Sequence, residues 1–248
     1  MKLHKSTILI TGGTSGIGLE FVKQLLLKDA TIIITGRDLN KLEEVKKKYP
    51  QVHIIKSDVA ASHEIEHLHE QVVQQFPALN ILINNAGIMR SIDLQDTSRD
   101  MENITREIGT NLSGAIHMFH RFLPHLRAQT SAAIVNVSSG LAFIPFPPSP
   151  IYSAAKAGLH AYTRVLRLQL KNTSIKVFEL APPQTETPLL NEFSDLDPDG
   201  SGPVMKVEKL VSEAIKGILK DNFEIKPGMS KNIETDQPDR TGFLFGLF

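Results

Sequence analysis

Tyr152 and Lys156 stand four positions apart, a spacing that on a helix brings both side chains out on one face with Cβ atoms about 5–6 Å apart. A free phenol has a pKa of about 10 and exchanges protons poorly at neutral pH, but a neighbouring ammonium lowers that value and makes exchange feasible. Far upstream, Thr11-Gly12-Gly13-Thr14-Ser15-Gly16-Ile17-Gly18 joins a short apolar run to a helical pattern carrying Leu19, Val22, Leu25 and Leu26. Glycines at such points let the backbone turn sharply, approach a pyrophosphate, and leave helix N–H groups aimed at it. The spacing runs G-x-x-x-G-x-G, with Gly13 as an extra glycine, and differs from the commoner G-x-G-x-x-G. A proton donor beside a cation, and a turn that holds a dinucleotide, together point to hydride transfer.

Both segments need a scaffold, and the periodicity supplies one. Short β-branched runs at 7–11, 31–35, 52–56, 80–84, 133–137 and 175–180 read as strands, mostly apolar on both faces. Helical patterns fall near 17–28, 39–48, 62–75, 98–129 (long or broken), 152–170 and 206–221. The alternation predicts βαβ units with right-handed crossovers, hence a Rossmann-type, doubly wound parallel α/β sheet of about seven strands with helices on both faces. Nothing reads as an interdomain linker, so residues 1–248 are expected to form one domain. Within it, about 184–206 reads as a lid over the substrate, and about 226–248 as a tail with an apolar end, Phe243–Phe248, that should pack against another subunit. The proline-rich stretch Phe143–Pro150 reads as a rigid connector.

Cofactor preference follows from the end of the second strand. Gly36-Arg37 stands where an NAD-selective site would carry an acid for the ribose 2′-hydroxyl. Arg37 can pair with a 2′-phosphate, with Thr14 or Ser15 adding hydroxyls, so NADP(H) is expected over NAD(H). A competing reading leaves Arg37 solvated and gives Asp38 the task of capping the next helix.

Composition narrows the partners. With 27 basic and 27 acidic residues the chain has no net field toward nucleic acid or an anionic membrane. There is no cysteine, which excludes thiolate ligands and nucleophiles and suits a reducing compartment. The apolar run after Met1–Ser6 is too short for a signal-peptide core or a membrane span, which makes the cytoplasm the expected location. His63, His67 and His69 fall on a helix before the 80–84 strand, and no acidic partner completes a zinc set in the reactive region; Ser139 lacks the G-x-S-x-G elbow of a hydrolase.

Taken in order, Thr11–Gly18, Asp58-Val59, Asn84–Gly87, Asn111, Ser138-Ser139 and Tyr152 with Lys156 make the chain resemble the short-chain dehydrogenase/reductase family over nearly its whole length. Within that family it is most similar to bacterial members named for D-alanine–lipoteichoic acid operons, which share the segments Ser139–Phe143 and Ala181–Pro183. That name describes a gene neighbourhood, not a reaction. The resemblance implies a catalytic set of Asn111, Ser139, Tyr152 and Lys156. In it Tyr152 exchanges the proton, Lys156 also holds the nicotinamide ribose, and Asn111 positions a water that relays protons to Lys156. Ser139 is preferred to Ser138 because strand alternation separates the two and the family spacing matches Ser139; its hydroxyl would bind the substrate oxygen.

Cofactor contacts are implied for Gly12, Thr14, Ser15, Gly16, Ile17, Gly18 and Arg37, then Asp58 with Val59 near adenine. Asn85, Ala86 and Gly87 are implied at the ribose, with Tyr152, Lys156, Pro182 and Thr187 near the nicotinamide. One departure stands out: Pro182-Pro183 replaces the family's Pro-Gly, removing an N–H and stiffening the wrap. Met89, Phe143, Ile144, Phe146 and Leu189 are candidates to wall an apolar pocket, pointing to a hydrophobic carbonyl substrate. Family members commonly form homodimers or homotetramers. Two function classes follow, an NADP(H)-dependent carbonyl reductase or alcohol dehydrogenase, and a sensor or scaffold that binds NADP(H) without turnover.

Overall fold

A computed structural model describes residues 1–196 and 204–232. Seven parallel strands form one sheet in the order β3-β2-β1-β4-β5-β6-β7. They are β1 (Thr7–Thr11), β2 (Thr31–Gly36), β3 (His53–Lys56), β4 (Leu79–Asn84), β5 (Ala132–Val137), β6 (Ile175–Leu180) and β7 (Glu224–Ile225). The six strands expected from the sequence all form, with ends shifted by no more than one residue. The two-residue β7 carries too little pattern to be read in advance.

The helices are α1 (Gly16–Leu26), α2 (Leu39–Lys48), α3 (Ser62–Gln75), α4 (Met101–Ile108), α5 (Gly114–Arg127), α6 (Pro150–Gln169) and α7 (Val207–Leu219). Two apolar layers cover the sheet. Ile8, Ile10, Ile32, Ile34, Phe178 and Leu180 meet α1, α2 and α7 on one face. Leu9, Ile33, Leu82, Ile134 and Val177 meet α3, α5 and α6 on the other. Strand residues alternate between these layers, which is why both faces had to be apolar.

The helix expected over 98–129 is a shorter column, from Met101 to Arg127, interrupted by a π-helical turn, Gly109–Ser113, between α4 and α5. Asn111 lies in that turn. Its Oδ1 accepts from the Ile88 N–H at 2.9 Å, and its Nδ2 donates to the Ile88 carbonyl at 2.7 Å. The side chain thereby ties the column to the loop after β4.

The expected lid is only partly described. Its two ends are pinned side by side, with Thr185 bridged to Met205 through Glu186 N–H to Met205 O and Met205 N–H to Gln184 O, each 2.9 Å. Between them, 188–196 forms 3₁₀ turns. Residues 197–203, and the tail from 233 including Phe243–Phe248, lie outside the described residues. Among the described residues no helix is long and apolar enough to cross a membrane.

Candidate active site

The chain runs outward from β1 to β3, then returns to place β4 beside β1, so strand order reverses between β1 and β4. Loops leaving the carboxyl ends of such strands splay apart and open a crevice. Thr11 fastens the two loops together: its Oγ1 accepts the N–H of Asn85 and of Ala86, each at 3.0 Å. Asn85 answers with Nδ2 on the carbonyls of Thr11 and Gly12.

The glycine turn is compact for stated reasons. Gly12 and Gly16 have positive φ, +67° and +51°, a region that favours glycine. A Cβ at Gly13 would fall 2.5 Å from Ile34 Cγ2, so the extra glycine lets the turn sit on β2. Gly18 does not line the crevice; it lies beneath the turn, where a Cβ would come 2.3 Å from the Gly12 carbonyl oxygen. The Ser15 side chain leaves the first turn of α1 uncapped, whereas Asp38 caps α2 through the Lys41 N–H and Asp100 caps α4. The free N–H groups of α1 are therefore available to an anion.

One cavity of about 1360 Å³ runs along the crevice. It is lined by Gly12, Thr14, Ser15, Gly16, Ile17, Arg37, Asp58, Val59, Asn85, Ala86, Gly87, Ser139, Tyr152, Lys156, Pro182 and Thr187. These residues come from distant parts of the chain and were each singled out by the sequence reading. Asn111 stands apart. It lines a second cavity of about 10 Å³, the size of one water, that also touches Lys156 and Asn84. Lys41, Ile88, Thr110, Gln184 and Phe193 line the main cavity and were missed. Lys41 had a signal, since it stands four positions after Arg37 in the first turn of α2.

Ser139 and Ser138 separate as strand alternation requires. Ser138 Oγ turns inward to the Leu180 carbonyl at 3.3 Å. Ser139 Oγ accepts the Leu141 N–H at 3.1 Å and is also hydrogen-bonded to the Tyr152 side chain. Both residues are buried. Lys156 donates to the Val137 carbonyl at 2.8 Å, and its Nζ lies 5.6 Å from the centre of the Tyr152 ring.

One expectation is corrected here. The phenol is not acidified by its lysine neighbour: burial pushes Tyr152 up to about 12, against the Ser139 hydrogen bond, with Glu107 adding to the rise. Burial likewise pulls Lys156 down to about 8, and Glu179 opposes that fall. Tyr152 is thus held as a proton donor at neutral pH. Desolvation wins because both groups are almost fully enclosed.

The far end of the cavity is apolar. Met89, Tyr152 and Phe193 form a cluster with Leu141, Phe146 and Leu189 around it, and Ile144 also lines the wall. Phe143 does not join them. Its ring meets His160 edge-on at 4.5 Å, beneath Lys226 at 4.9 Å. The connector Phe143–Pro150 therefore also forms cavity wall, while Ser149 anchors it to the Arg90 carbonyl.

This fold and crevice agree with the comparisons. The family model for short chain dehydrogenases matches residues 6–197, and the chain belongs to that family. It is an oxidoreductase by that membership. It is 43% identical over 195 residues to the uncharacterized oxidoreductase DltE of Bacillus subtilis, covering 79% of this chain and 77% of that one. A 3-ketoacyl-(acyl-carrier-protein) reductase from Brucella melitensis, solved with NADH, superposes with a TM-score of 0.82 at 26% identity, covering 92% of this chain and 99% of that one. A short chain dehydrogenase from Burkholderia cenocepacia, solved with NADP, has the same fold at a TM-score of 0.78 and 22% identity, covering 98% and 95%.

Proposed function

We propose that the protein is an NADP(H)-dependent oxidoreductase that interconverts a carbonyl and a secondary alcohol on a small, apolar substrate. The observation that carries this reading is a hydrogen-bonded set, Leu141 N–H on Ser139 Oγ with the protonated Tyr152 side chain as the serine's other partner, in the same cavity that takes in the apolar cluster and the glycine turn.

The donor set fits a dinucleotide. The uncapped N–H groups of α1 suit a pyrophosphate, Asp58 and Val59 line the adenine end, and Asn85, Ala86 and Gly87 the ribose side. Exposed Arg37 and neighbouring Lys41 offer two cations to a 2′-phosphate. Asp38 also lines the cavity, but its carboxylate is engaged by the Lys41 N–H. Asp38 therefore caps α2, and Arg37 stays exposed at the cavity wall.

A reduced nicotinamide bound near Pro182 and Thr187 would supply the hydride. Tyr152 gives its proton to the carbonyl oxygen as that oxygen gains charge, and Ser139 stabilises the phenolate left behind. Lys156, charged below about pH 8, is placed to attract the ribose and the phenolate. Asn111 and the one-water cavity beside Lys156 provide a route for the proton's return.

The test compares wild type and Tyr152→Phe across a panel of ketones and aldehydes with NADPH and NADH. Turnover should favour NADPH and fall by about 10²-fold or more in the variant, with NADPH affinity kept. Equal inertness of the two proteins, with NADPH still bound, would instead establish the non-catalytic sensor. Arg37→Asp should reverse the preference toward NADH.

A further inference from the structure

At the carboxyl end of the sheet, the layer facing α6 stops being apolar. Asn84 pairs in register with Asn136, Asn136 with Glu179, and Glu179 with Glu224. Helix α6 answers with a polar stripe at Lys156, His160, Thr163 and Arg167, a spacing that keeps all four on one face. Thr163 accepts from Asn136 at 2.9 Å, and Arg167 reaches Glu224 at 3.3 Å. His160 Nδ1 lies 3.0 and 2.9 Å from the two carboxylate oxygens of Glu179. The Glu179 side chain is only 2% exposed and that of His160 16%.

A carboxylate this deep in a sheet is costly unless a positive charge repays it. Lys156 sits one helical turn before His160 and is bonded to Val137, whose register partner, Leu180, directly follows Glu179. We propose that Glu179, oriented by His160, is a positioning residue for Lys156, a buried counter-charge that keeps the ammonium charged and aimed at the crevice. This rests on the role given to Lys156 above. The other ionisable groups nearby are accounted for. Tyr152 is on the same helix, and Glu107 of α4 acts on Tyr152. Glu224 of β7 pairs with Arg167 and, at 3.8 Å, with Lys226, which itself caps the Phe143 ring over His160. Glu179 is the group that opposes the effect of burial on Lys156.

The experiment reads the proton on Lys156 directly. Protein carrying ¹³C-labelled lysine is titrated by NMR, and the Lys156 Cε signal is assigned by its loss in Lys156→Arg. The Glu179→Gln midpoint should lie about one pH unit below wild type, Glu179→Asp should restore most of it, and Glu224→Gln should leave it in place. If Glu179→Gln does not fold, Glu179→Leu combined with His160→Leu fills the same space with apolar groups and is read in the same way. The alkaline limb of kcat should move with the midpoint. A Glu179→Gln curve that superimposes on wild type, or a Glu224→Gln shift of equal size, overturns the proposal. A shifted midpoint in a protein that turns over no carbonyl would count against the proposed reaction and still support the role of Glu179.

Discussion

Ser139 takes a hydrogen bond from a backbone N–H on one side and shares one with a phenol on the other, so its orientation is set before any substrate arrives. Lys156 is the more delicate group. Its ammonium survives burial only to about pH 8. The proposed role needs the charged form, so kcat for carbonyl reduction should be flat below that value and decline as pH rises through it, while Tyr152 keeps its proton to about 12. Initial rates against pH at saturating NADPH check this. Residual activity of Lys156→Arg, whose charge does not titrate in this range, should lack the decline. Stability has the opposite sign. Between about 8 and the ordinary 10.5 the unfolded chain holds a proton that the folded site has released, so this lysine makes stability rise with pH. Urea midpoints of wild type should therefore climb relative to Lys156→Met over that window.

The elements place these groups through close backbone contacts that one methyl would disturb. At Gly18 an added Cβ would meet the Gly12 carbonyl oxygen at 2.3 Å and the hydrogen-bonded Asn85 Nδ2 at 2.5 Å. Gly18→Ala should cost about 1–3 kcal/mol by overpacking, lowering the thermal midpoint and weakening NADPH binding together. Gly36→Ala, whose Cβ would come no nearer than 3.3 Å to Thr14 Cγ2 and 3.7 Å to Leu42, should be milder by both measures. The π-helical turn is a second such device. Asn111→Ala would leave the Ile88 N–H and carbonyl without their partner, costing about 1–3 kcal/mol and loosening the loop that bears Gly87. Strand and helix positions were legible because apolar periods of two and 3.6 follow from backbone geometry alone. The π turn was not, since it is stabilised by a side chain reaching a loop 23 positions away.

Across the whole molecule, charge is sorted along one cavity. The charged lining residues are Arg37, Asp38, Lys41, Asp58 and Lys156, while Met89, Leu141, Phe146, Leu189 and Phe193 close the other end around Tyr152. Among the described residues Lys156 is the one charged lining residue beside Tyr152 and is already bonded to the Val137 carbonyl, so an anionic substrate would recover little of its desolvation cost among these apolar groups. Aromatic or branched apolar ketones should therefore give higher kcat/KM than 2-oxo acids of similar size, and Phe146→Arg should narrow that gap. A steady-state survey of both substrate classes checks the expectation. Residue types and spacings by themselves determined the parallel sheet, the glycine turn, and which serine, tyrosine and lysine belong together. Those features are written in local periodicity and in motifs whose chemistry demands particular side chains. Only tertiary structure decided that Tyr152 is raised rather than lowered, that Phe143 leaves the pocket for His160, and that Glu179 stands near Lys156. Each of these depends on desolvation or on contacts between segments distant in sequence, and no local pattern records how deeply a group is buried or what lies across the sheet from it.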